Sequence, residues 1–158
     1  MTLKEHYQKN IIPALREKFG YRNSLAAPKV VKVVLNARIS AAEKDSKAAD
    51  AVRETLRIIS GQMPVPRGAK KSIASFKIRK GQIVGLMVTL RGKRMYEFLE
   101  RLLYLTFPRM RDFRGLKPDF VDAHGSLSIG FREAVSFPEV QAGEVERQHG
   151  LEVTVVTS

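Results

Sequence analysis

Between Ile83 and Arg91 the chain alternates strictly, with Val84, Leu86, Val88 and Leu90 on one side and Ile83, Gly85, Met87, Thr89 and Arg91 on the other. A period of two belongs to a β-strand, and one apolar face beside a mixed face predicts a sheet covered on one side only. Other stretches repeat the pattern. Lys29 to Asn36 sets Val31, Val33 and Leu35 against Val30, Lys32, Val34 and Asn36, which reads as a strand with a partly polar second face. Ser126 to Arg132 turns Leu127, Ile129 and Phe131 inward, and Leu151 to Thr157 alternates through Val153 and Val155, giving two further strands of an antiparallel sheet.

Three segments carry the helical period instead. Thr2-Leu3-Lys4-Glu5 has capping-box spacing, and Leu3, Tyr7, Ile11, Leu15 and Phe19 recur every four residues up to Gly20, with Pro13 predicting a kink or restart. Ser40 and Glu43 form a second capping-box pair, followed by the stripe Ala48, Val52, Leu56 and Ile59 and a stop at Ser60-Gly61-Gln62. Lys93 to Phe107 carries Met95, Phe98, Leu99, Leu102, Leu103 and Thr106, ends at Pro108, and holds Glu97 and Arg101 at ion-pair spacing. Residues 63–81 lack a period: Pro64 and Pro66 forbid helix, Gly68 and Gly81 permit turns, and lysines and arginines crowd in, which predicts an extended basic loop. Arg109 to Leu116 reads as a basic connector. No repeat or long linker divides the 158 residues. One α+β domain is expected, a mostly antiparallel β-sheet with helices packed on one face.

Charge says what such a sheet would meet. The formal net charge is +12, but residues 1–118 hold 26 basic and 9 acidic side chains, whereas residues 119–158 hold 2 and 7. From Thr55 to Tyr96 there are ten cations (Arg57, Arg67, Lys70, Lys71, Lys77, Arg79, Lys80, Arg91, Lys93 and Arg94) and no acid. On a solvated face the two signs intersperse because like charges repel, so a run of this length predicts that phosphates supply the missing negative charge. A generic polyanion-binding or anionic-membrane-binding basic module is the alternative; for the membrane, Lys93 to Phe107 would have to be freely exposed, and its apolar stripe is better used against the sheet.

Catalysis and cofactors find little support. With no cysteine there is no disulfide, thiolate metal site or cysteine nucleophile, and His6, His124 and His149 are too scattered for a histidine metal site. No metal and no cofactor is expected. Gly68-Ala69-Lys70-Lys71-Ser72 ends like a phosphate-binding loop, but Met63 stands where its first glycine belongs. Asp119, Asp122, Glu144 and Glu146 lie outside the basic region, and Asp122 beside His124 has no nucleophile near it in sequence, so the chain is not expected to be an enzyme. No apolar run approaches the roughly 20 residues of a membrane span, and the first residues carry acid and base where a signal peptide would be apolar, so no membrane association and a cytosolic location are expected.

Six blocks carry a resemblance: Ile58-Ile59-Ser60-Gly61-Gln62-x-Pro64; Ala69-Lys70-Lys71-Ser72-Ile73-Ala74-Ser75-Phe76-Lys77-Ile78-Arg79-Lys80-Gly81; Gly85-Leu86-x-Val88-Thr89-Leu90-Arg91-Gly92; Arg94 to Arg101; Pro108-Arg109-Met110-Arg111-Asp112-Phe113-Arg114-Gly115-Leu116; and Arg132-Glu133-x-x-x-Phe137-Pro138-Glu139. In this order they resemble the large-subunit ribosomal protein L-five family of bacterial or organellar type, over nearly the whole chain. The resemblance implies a ribosomal protein that binds 5S rRNA, attaches it to 23S rRNA in the central protuberance among other ribosomal proteins, contacts P-site tRNA through a basic loop, and meets a small-subunit head protein of the S-thirteen family. It places the protein on ribosomes, in the cytoplasm or the equivalent organellar compartment.

By the same resemblance, contacts to 5S and 23S rRNA fall on Asn36, Gln62 and Thr89, with Arg67, Arg91, Lys93, Arg94, Arg109, Arg111 and Arg114 around them. The tRNA-contacting loop corresponds to Lys70, Lys71, Ser72, Phe76, Lys77, Arg79 and Lys80. Asn36 and Thr89 lie on the more polar faces of their strands and Gln62 follows a helix-ending glycine, so all three can offer amide or hydroxyl groups to sugar and phosphate oxygens. Tyr7, Phe76 and Tyr96 are candidate stacking groups. Two departures from the family stand out: Asn36-Ala37-Arg38-Ile39-Ser40-Ala41-Ala42 replaces a glycine-rich turn carrying an acid, and a closing C-terminal helix that family members commonly carry is expected to be absent after Ser158.

Overall fold

The structure, a computed structural model, describes residues 2–39, 46–110, 113–140 and 149–158. In chain order it runs α1 (Leu3–His6), α2 (Ile12–Phe19), β1 (Val30–Arg38), α3 (Ser46–Ser60), β2 (Val65–Gly68), β3 (Ile83–Leu90), α4 (Gly92–Arg101), α5 (Phe107–Arg109), β4 (Leu127–Phe131) and β5 (Leu151–Thr157). The strands form one antiparallel sheet in the order β2-β3-β1-β5-β4, so β1 is central. This is the expected α+β arrangement.

The alternating residues do what their period predicts. Val33, Leu35 and Ala37 of β1, Leu86, Val88 and Leu90 of β3, and Leu151, Val153 and Val155 of β5 are buried against Val52, Leu56 and Ile59 of α3 and Met95, Phe98 and Leu99 of α4. A chain of rings extends this core toward β4: Phe98 lies 6.2 Å from Phe137, Phe137 5.0 Å from Phe131, and Phe131 6.3 Å from Phe107, which stacks on Phe113 at 4.6 Å. Val31 departs from the expected inward face. The register between β1 and β5 shifts between Val30 and Lys32, and this bulge leaves Val31 39% exposed.

Prolines are absorbed differently from what spacing alone suggests. A π-helical turn, Tyr7–Ile11, joins α1 to α2 just before Pro13, and another, Leu102–Thr106, joins α4 to α5 just before Pro108. Ile12 N–H reaches back to the Tyr7 carbonyl, and Phe107 N–H to that of Leu102. The wider turn makes room for a ring that would clash with the carbonyl four residues earlier. The last helical segment therefore continues one residue past Pro108 instead of stopping there. The first capping box forms as expected, with Glu5 N–H donating to Thr2 Oγ1 at 3.4 Å and Thr2 N–H to Glu5 Oε2 at 3.2 Å. The pair Ser40 and Glu43 lies outside the described residues, as do the Ala48 side chain and the altered turn beyond Ile39.

Two further expectations are corrected. The basic segment 63–81 is not a loop throughout, because Val65–Gly68 pairs with β3 as an edge strand, and an edge tolerates Pro66 with its missing N–H. Arg101 does not pair with Glu97. Glu97 instead meets Lys93 at 3.5 Å, while Arg101 Nη2 donates to the Ile59 carbonyl at 3.0 Å and its Nε lies 2.7 Å from Glu139 Oε1. The negative end of α3 and a half-buried carboxylate together hold the guanidinium better than one exposed glutamate would.

These contacts separate two kinds of position. Phe137→Ala, at the junction of the ring chain, is expected to cost about 3–5 kcal/mol in denaturant unfolding. Arg101→Ala is expected to cost about 1–3 kcal/mol because it leaves the Ile59 carbonyl and Glu139 unsatisfied, whereas Glu97→Ala should stay within about 0.5 kcal/mol.

Candidate nucleic-acid interface

With the helices on one face, the other face of the sheet carries the second half of each alternation. Across it, register sets three rows. One runs Ser128, Thr154, Val34, Thr89; the next Gly130, Glu152, Asn36, Met87, Val65; the third Arg38, Gly85, Arg67. Ser128 and Thr154 hydroxyls meet at 3.2 Å, and Asn36 Nδ2 donates to Glu152 Oε2 at 3.4 Å. The face is thus a half-polar platform of hydroxyls, one amide, one carboxylate and apolar side chains, edged by cations.

Asn36, Thr89 and Gln62 come together on it. Thr89 pairs with Val34, which places it diagonally next to Asn36. Gln62 arrives from the end of α3. Gly61 takes a left-handed φ of 65°, the Ser60 hydroxyl accepts from Gln62 N–H at 3.2 Å, and Gln62 Nε2 then donates to the Thr89 carbonyl at 3.4 Å. Gly85 sits between Arg38 and Arg67 on neighbouring strands. A Cβ there would stand 2.9 Å from the Ala37 carbonyl oxygen and 3.7 Å from Asn36 Oδ1, so the position accepts no side chain and leaves a notch beside Asn36.

The cations divide into three groups. Arg67 lies on the platform at the β2 edge, with Arg38 on the far side of Gly85. Arg91, Lys93 and Arg94 are exposed around the N-terminus of α4, whose first turn holds no acid. Positive charge is unfavourable at the positive end of a helix, so an external anion would relieve it. Arg109, the last residue of α5, and Arg114 are exposed, and Arg111 lies outside the described residues. Sequence reasoning singled out neither Arg38 nor Lys32; following the parity of β1 two residues past Asn36 places Arg38 on the same face.

The basic loop is a folded object. Ala69 N–H donates to the Gln82 carbonyl at 2.8 Å and Gly81 N–H to that of Ala69 at 2.9 Å, which prolongs the ladder of β2 and β3. Ile73 and Ile78 exchange two backbone bonds around a 3₁₀ turn, Ala74–Phe76, and Lys77 takes a left-handed φ of 52° to close it. Ser72 is used internally, its hydroxyl accepting from Lys80 N–H at 2.9 Å. Lys70, Lys71, Lys77, Arg79 and Lys80 are exposed, and no ion pair among the described residues involves them. Phe76 is 60% exposed in the 3₁₀ turn, and the loop also holds a cleft of about 820 Å³ lined in part by Ser72, Lys77, Arg79 and Lys80.

Tyr7 is a structural residue rather than a free stacking group. Its hydroxyl donates to the Pro28 carbonyl at 2.7 Å, and burial first, then the neighbouring Tyr96, push the phenol above its ordinary pKa. Asp122 likewise serves a turn, its Oδ1 accepting from His124 N–H at 2.9 Å and Ser126 N–H at 2.8 Å. Among the described residues no group of three His, Asp or Glu is placed to hold a metal ion, and no helix is long and apolar enough to cross a membrane.

Comparison with known proteins gives this platform and loop a context. Residues 23–79 match the family Ribosomal protein L5, and residues 83–158 match the C-terminal part of the same ribosomal family. The large ribosomal subunit protein uL5 of Carboxydothermus hydrogenoformans is 46% identical over 156 residues, 99% of this chain and 87% of that protein. Those of Halothermothrix orenii and a Roseiflexus species are 47% and 48% identical over 99% of this chain, and it covers 88% and 87% of them. Two adjoining family matches and identity at this level over almost every residue establish that the chain belongs to the ribosomal protein L5 family, structural proteins of the large ribosomal subunit and not enzymes.

Proposed function

We propose that this chain binds 5S rRNA through the open face of its sheet and anchors it to 23S rRNA in the central protuberance of the large subunit. The observation that carries the reading is the contiguity of Asn36, Thr89 and Gln62 beside Arg38 and Arg67 on the open face, in a chain whose stretch from Thr55 to Tyr96 holds ten cations and no acid. Amide and hydroxyl groups suit ribose and base edges, whereas Arg67 and the cations at the start of α4 suit phosphates. A pleated platform fits the wide, shallow minor groove of an RNA helix, where 2′-hydroxyls are displayed.

The loop around Phe76 serves a second partner. It projects beyond the platform, carries Lys70, Lys71, Lys77, Arg79 and Lys80, and is stiffened by its own hydrogen bonds, so it can reach P-site tRNA without rearranging the sheet. Its exposed ring offers stacking and its cations offer phosphate contacts. The acidic last quarter, residues 119–158, suits a basic protein, and we assign it to the small-subunit head protein of the S-thirteen family.

Affinity for 5S rRNA should fall with salt by about 0.9 log unit or less per log of salt for each phosphate neutralised. Equal affinity for 5S rRNA and an unrelated RNA of the same length at moderate salt would refute the 5S assignment. Replacing Lys70, Lys71, Lys77 and Lys80 together by Ala should leave 5S rRNA affinity within about threefold while weakening tRNA-dependent steps on reconstituted ribosomes. Loss of 5S rRNA binding in that variant would overturn the division between platform and loop.

A further inference from the structure

Among the strand residues of the open face there are three cations, Lys32, Arg38 and Arg67, and one acid, Glu152. The acid is not at an edge. Glu152 pairs with Asn36 on one side and Gly130 on the other, so it stands beside Asn36 in the interior of the platform. A carboxylate on a surface meant for a polyanion opposes binding unless it accepts hydrogen bonds from the ligand. We propose that Glu152 is a specificity-determining residue of the RNA face, which rests on the reading of that face as the 5S rRNA site: its carboxylate rejects phosphate at the centre of the platform and accepts a hydrogen bond from a 2′-hydroxyl or a base amino group.

Two observations support this role. First, Glu152 is exposed and, among the described residues, engages through Oε2 with Asn36 Nδ2 at 3.4 Å, so acceptor capacity faces outward. Second, an ionised carboxylate only accepts, and this sets the polarity of the neighbouring amide. The Asn36 NH₂ turns to Glu152 and its Oδ1 turns to the Gly85 notch, where a Cβ would lie 3.7 Å away. The centre of the face therefore shows adjacent acceptors, the carboxylate and Asn36 Oδ1, within a rim of cations. That pattern is complementary to hydroxyl and amino donors flanked by phosphates, which is the layout of an RNA minor groove. DNA lacks the hydroxyl and would present fewer donors there.

The test measures dissociation constants of the full chain and of Glu152→Gln, Glu152→Ala and Glu152→Asp for 5S rRNA and for an unrelated RNA duplex of equal length, at one salt concentration. Thermal melts of the variants, expected to match wild type at this exposed position, guard against misfolding. Glu152→Gln and Glu152→Ala should bind the unrelated duplex more tightly, bind 5S rRNA more weakly, and so lose about tenfold or more in selectivity, with Glu152→Asp restoring part of it. If all variants gain affinity for both RNAs by the same factor, Glu152 is only a repelling charge and the inference falls while the 5S assignment stands. If the wild-type chain itself shows no preference for 5S rRNA, the assignment falls and takes the inference with it.

Discussion

The fold depends on burying one face of an antiparallel sheet and leaving the other open. β1 is hydrogen-bonded on both sides, and its Val33, Leu35 and Ala37 are almost fully enclosed by α3 and α4. Once those residues are inside, the period of two commits Val34, Asn36 and Arg38 to the outside, and neighbouring strands follow through register. A shift of one residue would put Asn36 in the core and Leu35 in water. The contacts that stabilise the domain thus also specify which polar groups reach a ligand.

Most of this was legible in the primary structure because period-two and period-four patterns report burial directly. Strands β3, β4 and β5 fall where alternation put them, and α3 ends at Gly61 as its stripe predicts. Where reading failed, the missing information was non-local. Val31 turned outward because of a bulge fixed by pairing with a strand more than a hundred residues away. Arg101 left Glu97 for the Ile59 carbonyl and Glu139, partners that only the packed fold brings near. The π-turns before Pro13 and Pro108 let two helices run through residues that ordinarily end them. The edge strand β2 escaped notice because Pro64 and Pro66 mask a four-residue segment that acquires its conformation from β3.

The candidate site was legible in part for the same reason. Asn36, Thr89 and the cations could be marked on strand faces, and Gln62 on a helix stop, but their meeting is a consequence of register and of the Ser60 and Gly61 turn. Arg109 sits at the end of α5 in the helical layer, so the basic residues do not form one continuous field. They form a platform rim, a helix start, a basic loop and, with Arg109, a further position on the helical layer. A protein that must touch several surfaces of an assembly is served by such separation, since each group can be occupied without competing for the others.

Gly85 gives the platform a property that its side chains could not. Because the backbones of β1 and β3 close in at this point and exclude a Cβ, the contour beside Asn36 is shaped by main chain that is already held in ladder hydrogen bonds. Such a contour has no rotamers to lose when a ligand settles on it, so the entropy of ordering falls on the ligand alone. Recognition at the notch is therefore rigid in advance, and its shape cannot be retuned by substituting a side chain there.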